Sequence, residues 1–93
     1  MKLDASMGFA TPLNDVPALA RAAESIGFDA IWSSETQHDP FLPLTHTAAA
    51  TTRLQFGTAV AIAFARSPLI VAHTAWDLAA QSKGRFMLGL GTQ

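Results

Sequence analysis

The chain contains no cysteine, so disulfides and thiolate metal sites are excluded, and a reducing, cytoplasmic setting is expected. Charge is also scarce: 14% of residues are charged, against roughly 25% in ordinary globular domains. Net charge is −1, and the basic residues Lys2, Arg21, Arg53, Arg66, Lys83 and Arg85 are scattered. No electrostatic case for nucleic acid or an anionic lipid surface arises from such a distribution. Met1-Lys2-Leu3-Asp4 places an acid where a signal peptide needs an apolar run, and no uncharged apolar stretch approaches the roughly 18 residues of a membrane span. Neither a leader nor a membrane partner is expected. What the chain does have is apolar content, 49% of 93 residues. A chain of that size makes one domain at most, residues 1–93, and buries a smaller fraction of its surface than a full-sized domain does. The composition points to part of a larger unit, or to a protomer that covers its faces with a partner.

Along the chain, extended and helical patterns alternate. Leu3, Ala5, Met7 and Phe9 fall on one face of a strand over residues 2–9. Thr11-Pro12 breaks it, and Asn14 or Asp15 is placed to cap a helix whose first turn holds Pro17. Val16, Leu19, Ala20, Ala23 and Ile26 recur at helical spacing, and Gly27 suits a left-handed stop. A second strand runs from Phe28 to Ser33, followed by a polar loop from Ser34 to Pro40. Pro43–Thr52 reads as a short helix, Leu54–Val60 as a third strand, and Ala61–Arg66 as an apolar loop or strand extension. Ser67-Pro68 is a cap followed by proline at the first helical position. The helix then runs to about Ser82, with Leu69, Ala72, Ala75, Trp76 and Ala79 near one face, and Lys83-Gly84 ends it. Residues 85–90 make the fourth strand. A βαβαβαβ order with short connections implies parallel strands and right-handed crossovers. An open doubly wound sheet and half of an eight-stranded barrel both fit, and four units in 93 residues keep pace with a barrel of roughly 250.

In either architecture ligands gather at the C-terminal ends of the strands. That rule selects Gly8–Thr11, Ser33–Pro40, Thr58–Ala61 and Gly89–Gln93. The second group is the richest. His38 can exchange a proton near neutral pH, and Glu35 could orient it or bind a polar ring edge. Equally, Glu35 and Asp39 could cap the next helix and leave His38 in solvent. Thr58 and its small neighbours would let a flat ring approach the backbone, but barrel packing also wants small residues. Gly89-Leu-Gly91 lacks the third glycine of a dinucleotide fingerprint and reads as a flexible strand exit. His38, Asp39, His46 and His73 show no tight ligand spacing, so no metal is expected. Trp32 and Trp76 read as core, and Ser33-Ser34 lacks the glycine-flanked elbow of a hydrolase nucleophile.

Three runs taken together carry a resemblance: Gly27-Phe-Asp-Ala-Ile-Trp-Ser-Ser-Glu35, Gly57-Thr-Ala-Val60 with Arg66-Ser-Pro68, and Gly84-Arg-Phe-Met-Leu-Gly-Leu-Gly91. In this order and spacing they are similar to bacterial luciferase-like monooxygenases, above all to the branch that uses coenzyme F420. The resemblance implies an α/β fold, the N-terminal half (the first four βα units) of a TIM-type (β/α)8 barrel. It implies F420, or alternatively FMN, at the C-terminal mouth, with hydride transfer to or from a small organic substrate. It implies a cis peptide at Ala59-Val60 beneath the ring, Thr58, Ala59 and Val60 under the ring face, Gly91 and Thr92 beside it, and His38 and Glu35 as catalytic residues near its reactive edge. In the family the histidine directly follows the acid, whereas here Thr36-Gln37 stand between Glu35 and His38. The expected partners are the remaining half of the barrel or a second chain, in a homo-oligomer. Two further readings stand beside this one: a non-catalytic half-barrel that associates with itself, and an unrelated α/β enzyme.

Overall fold

Short connections between strands and helices force each strand to return in the same direction, and the computed structural model shows the result. It describes residues 2–8 and 11–92. Strands β1 (Asp4–Ser6), β2 (Ala30–Ser33), β3 (Gln55–Thr58) and β5 (Phe86–Met87) form a parallel sheet in the order β1-β2-β3-β5. Helices α1 (Val16–Ile26), α2 (Leu42–Ala50) and α3 (Pro68–Ser82) form the crossovers. The register is continuous, with Asp4 opposite Ala30, Ala30 opposite Gln55 and Phe56 opposite Phe86. A second, two-stranded parallel sheet joins β4 (Ala61–Ile62) to β6 (Leu90–Gly91) just past the ends of β3 and β5. No helix among the described residues is long and apolar enough to cross a membrane.

The expected fourth strand over 85–90 is therefore two strands, one in each sheet, and the expected third strand stops at Thr58. There the chain passes through a cis Ala59-Val60 peptide before β4 begins. Phe9, placed in the first strand by its alternation, lies outside the described residues, and the strand itself is confined to Asp4–Ser6.

Local signals set the helix ends. Gly27 (φ 105°) carries the left-handed stop of α1, its N–H donating to the Ala23 and Glu24 carbonyls. Ser67 caps α3 by accepting from the Leu69 N–H, with Pro68 in the first turn. The expected Asn14 or Asp15 cap of α1 does not form. Asp15 already has helical angles (φ −90°, ψ −13°), so its side chain cannot turn back to the first amides as an extended N-cap residue does. A 3₁₀ turn, Leu13–Asp15, leads into the helix instead. At α2 the carboxylate of Asp39 takes this task, accepting from the Phe41 and Leu42 N–H groups at 2.7 and 2.8 Å.

The core lies between the sheet and the helices. Ile31, Phe56, Leu44, Leu54 and Leu78 are its large members, with Ala23, Ala48 and Ala61 filling between them. In α1 the expected face is only partly buried: Val16, Ala20 and Ala23 are inside, while Ile26 is 74% exposed. In α3 the expected face is wrong. Val71, Leu78 and Ser82 are buried, Leu69 is exposed, and Trp76, expected in the core, is 77% exposed. A helix apolar almost all round has no amphipathic stripe, so periodicity cannot select the side that meets the sheet.

Two polar residues close the N-terminal end of the sheet. Glu24, on α1, accepts the N–H groups of Thr52, Arg53 and Leu54 at 3.1, 2.6 and 2.7 Å. Arg85 donates to the carbonyls of Ala48, Thr51, Leu54 and Ser82 and to the Thr51 hydroxyl, and its guanidinium sits 5.5 Å from the Phe56 ring centroid. It thereby meets the negative C-terminal ends of both α2 and α3.

Burial raises the Glu24 carboxyl, but the Arg53, Leu54 and Thr52 N–H groups and the Arg53 charge outweigh it and leave the carboxyl below its ordinary value. A carboxyl depressed on folding contributes stability that is present above its unfolded pKa and lost as pH falls through the folded one. Glu24→Gln should therefore lower Tm at about pH 7 and shrink the drop in Tm on acidification to about pH 3.5, measured by circular dichroism. Arg85→Met keeps the stem but strands buried carbonyls, and should lower the unfolding free energy by about 2 kcal/mol or more in a urea titration.

Candidate active site at the strand exits

The C-terminal ends of β1, β2, β3 and β5 open on one side of the sheet, and backbone groups that leave the ladder there must find other partners. Around the end of β3 they do so across three segments. The Ala59 N–H donates to the Ser33 carbonyl (2.8 Å), the Ser34 hydroxyl to the Ala59 carbonyl (2.7 Å) and the Glu35 N–H to the Val60 carbonyl (3.2 Å). From the other side the Ala61 N–H donates to the Gly89 carbonyl at 2.9 Å. The result is a shelf, Ala59-Val60, held between the β2 exit and the β5 exit. Ala59 is exposed and Val60 half-buried.

Thr58 and Gly89 lock one side of this shelf. The Thr58 hydroxyl donates to the Gly89 carbonyl (2.8 Å) and accepts the Gly89 N–H (2.9 Å), and the residue is 1% exposed. Its polar atom is therefore spent inside the protein. A Cβ on Gly89 would run into the Thr58 carbonyl, and one on Gly91 would meet the Val60 side chain. The two glycines, expected to be a flexible exit, are instead the condition for backbone and side chain to approach this closely. Thr92 is exposed next to Gly91, and Gln93, also in the expected group, lies outside the described residues.

Glu35 occupies the other side. Both its oxygens receive the Arg66 guanidinium, at 2.6 and 2.8 Å, and Oε1 also accepts the Ile62 N–H at 2.7 Å. Arg66 further donates to the Ile62 carbonyl (3.0 Å) and reaches Asp39 Oδ1 (3.4 Å), with its guanidinium 5.3 Å from the Phe41 ring centroid. The hydrogen bonds from Arg66, opposed by burial and aided by the Ile62 N–H and the Arg66 charge, hold the Glu35 carboxyl below its ordinary value. The same contacts push Arg66 up. Glu35 thus stays ionised at neutral pH, and it does not orient His38. Nor does it cap α2, a task that falls to Asp39 alone.

His38 lies on the exposed loop beyond Glu35, on the wall of a cavity of about 300 Å³. Met7, Leu13, Leu42 and Pro43 give this cavity apolar walls, and Ser33, Ser34, His38 and Asp39 supply its polar groups. Ser34 is shared: it lines the cavity and supports the shelf. The structure thus joins Thr58, Ala59, Val60 and Gly91 in the shelf and His38 to the cavity beside it, and keeps Glu35 for Arg66. Among the described residues no group of three His, Asp or Glu side chains is placed to hold a metal ion. Sequence reasoning gave Arg66 no role, although one signal was present. The signal is a single charge closing the apolar run Ala61-Ile-Ala-Phe-Ala-Arg66, a residue that needs a partner where it is buried.

The profile of the luciferase-like monooxygenases matches residues 2–93. An uncharacterized protein of Mycobacterium tuberculosis is 56% identical over 81 residues, covering 81% of this chain and 24% of its own length. A second protein of that organism, named "Putative coenzyme F420-dependent oxidoreductase Rv3520c", is 37% identical over 94 residues, covering 98% of this chain and 27% of its own length. The chain thus spans about a quarter of the length of these relatives. Among solved structures, the coenzyme F420-dependent tetrahydromethanopterin reductase of Methanopyrus kandleri superposes with a TM-score of 0.88 at 24% identity, over 97% of this chain and 26% of that one. The parallel βα units described above correspond to the N-terminal portion of the TIM-type barrel in such structures. The chain belongs to the luciferase-like monooxygenase family.

Proposed function

We propose that this chain provides the N-terminal part of an oxidoreductase that moves hydride between coenzyme F420 and a small organic substrate. The observation that carries this reading is the pairing of the Ala59-Val60 shelf with the His38 cavity, both at the C-terminal side of one parallel sheet. The F420-named relative, 37% identical over nearly the whole chain, supports the choice of cofactor.

The residues present fit a flat ring. Ala59 offers an exposed small side chain, and Gly91 and Thr92 border the shelf without bulk. They do not offer a phosphate site, because the cation beside the shelf, Arg66, is committed to Glu35 and Asp39. The tail contacts would then fall to residues away from the shelf. The bound deazaflavin would supply the hydride chemistry. Ala59 and Val60 would support the ring face, Gly91 and Thr92 its side, and the apolar walls around Met7 and Leu42 would exclude water from the substrate. His38 would hold or give the proton at its imidazole, and Glu35, ionised and bound to Arg66, would keep the shelf in place.

The sheet itself asks for a partner. β1 and β5 are its edges, and Leu3, Leu88 and Leu90 near them are exposed. The remaining half of the barrel, or a second chain in a homo-oligomer, would cover them.

Fluorescence titration of the complete protein with F420 and, in parallel, FMN tests the cofactor. Saturable binding of F420, tighter than that of FMN, is expected; preference for FMN would keep the reaction class and replace the cofactor. His38→Ala should lower kcat by about a hundredfold or more while cofactor affinity stays near that of the parent. Undiminished turnover in that variant removes His38 from the mechanism.

A further inference from the structure

Arg66 joins two segments that are far apart in sequence, residues 35–39 and residues 62–66. Its planar fork takes both Glu35 oxygens at 2.6 and 2.8 Å, one of its nitrogens also bonds the Ile62 carbonyl at 3.0 Å, and the other reaches Asp39 at 3.4 Å. The two side chains are only 16% and 15% exposed, so water competes weakly for them. A bidentate guanidinium–carboxylate pair fixes angle as well as distance. Glu35 passes that constraint on. Its carboxylate holds the Ile62 N–H at 2.7 Å and its own N–H holds the Val60 carbonyl at 3.2 Å. Ile62 in turn pairs with Gly91 across β4 and β6. On the far side, Asp39 is the direct neighbour of His38 and lines the same cavity.

One guanidinium thus sets where the shelf stands relative to the loop that carries the proposed proton donor. Glu35 is not spare for proton transfer, but it is joined by hydrogen bonds to Val60 in the shelf and to Ile62 just beyond it. We propose that Arg66 is a positioning residue of the ring site, acting through Glu35 on Val60 and Ile62 and through Asp39 on the His38 loop. This inference rests on the cofactor reading given above.

The test compares Arg66→Gln, Arg66→Lys and Glu35→Gln in the complete protein, with three readouts: Tm, amide hydrogen exchange of the cofactor-free protein at Glu35 and Ile62, and affinity for F420 and FMN by fluorescence. Arg66→Gln should speed exchange at both amides and weaken cofactor binding about tenfold or more, since small displacements in a preorganised site are costly. Arg66→Lys keeps the charge but not the fork, and should not restore the affinity. Glu35→Gln should reproduce the loss. A bridge that serves stability alone would lower Tm and leave affinity per folded molecule within about twofold of the parent, and that result overturns the inference. Recovery of full affinity by Arg66→Lys overturns it as well. Should the parent bind neither F420 nor FMN, the cofactor reading fails first; parent binding with unaltered variants sinks the positioning role alone.

Discussion

Backbone groups that run out of strand partners have to be satisfied, and in this chain that requirement organises both ends of the sheet. The strands are short, so many N–H and C=O groups emerge from the ladder within a few residues of one another. At the N-terminal end Glu24 gathers three consecutive N–H groups and Arg85 gathers carbonyls from two helix ends and the start of β3. At the C-terminal end Ser34 and the Glu35 N–H serve Ala59 and Val60, the Glu35 carboxylate and Arg66 serve Ile62 in β4, and Thr58 serves Gly89. Among the described residues no buried side-chain nitrogen or oxygen is left without a partner. The buried polar side chains of this apolar chain are therefore structural before they are anything else.

That economy sharpens the site. Once Glu35, Thr58, Asp39 and Arg66 are assigned to the backbone and to each other, His38 stands apart on the cavity wall, on an exposed loop. The shelf beside it presents mostly backbone and small side chains, which suits a flat ring held by its face rather than by charge. In the proposed reading the chemistry of such a site would come from the cofactor, and the protein's part would be to fix distances. A rigid floor built from hydrogen bonds across the strand exits serves that part.

How much of this was legible in the sequence varies element by element. The order of strands and helices, the Gly27 stop and the Ser67-Pro68 start are all short-range events, governed by the φ and ψ preferences of single residues and by caps two residues away. They were readable for that reason. The buried face of α3 was not, because Leu69, Ile70, Val71 and Trp76 are interchangeable to a periodicity argument, and tertiary packing, which buries Val71 and Leu78, decides among them. The Asp15 cap failed because Asp15 already sits in a 3₁₀ turn with helical backbone angles.

Residue order alone carries an apolar parallel α/β unit and the loops at which chemistry would gather, because periodicity and caps are local, and it carries the family through three motif runs. Only the tertiary structure decided what those loops do. Glu35 and Arg66 are 31 residues apart, as are Thr58 and Gly89, and nothing in local order couples either pair. Assembly of the sheet brings the β2, β3 and β5 exits within hydrogen-bond reach. There Glu35 becomes Arg66's anchor rather than His38's companion, and two apparently flexible glycines become the closest-packed points of the shelf.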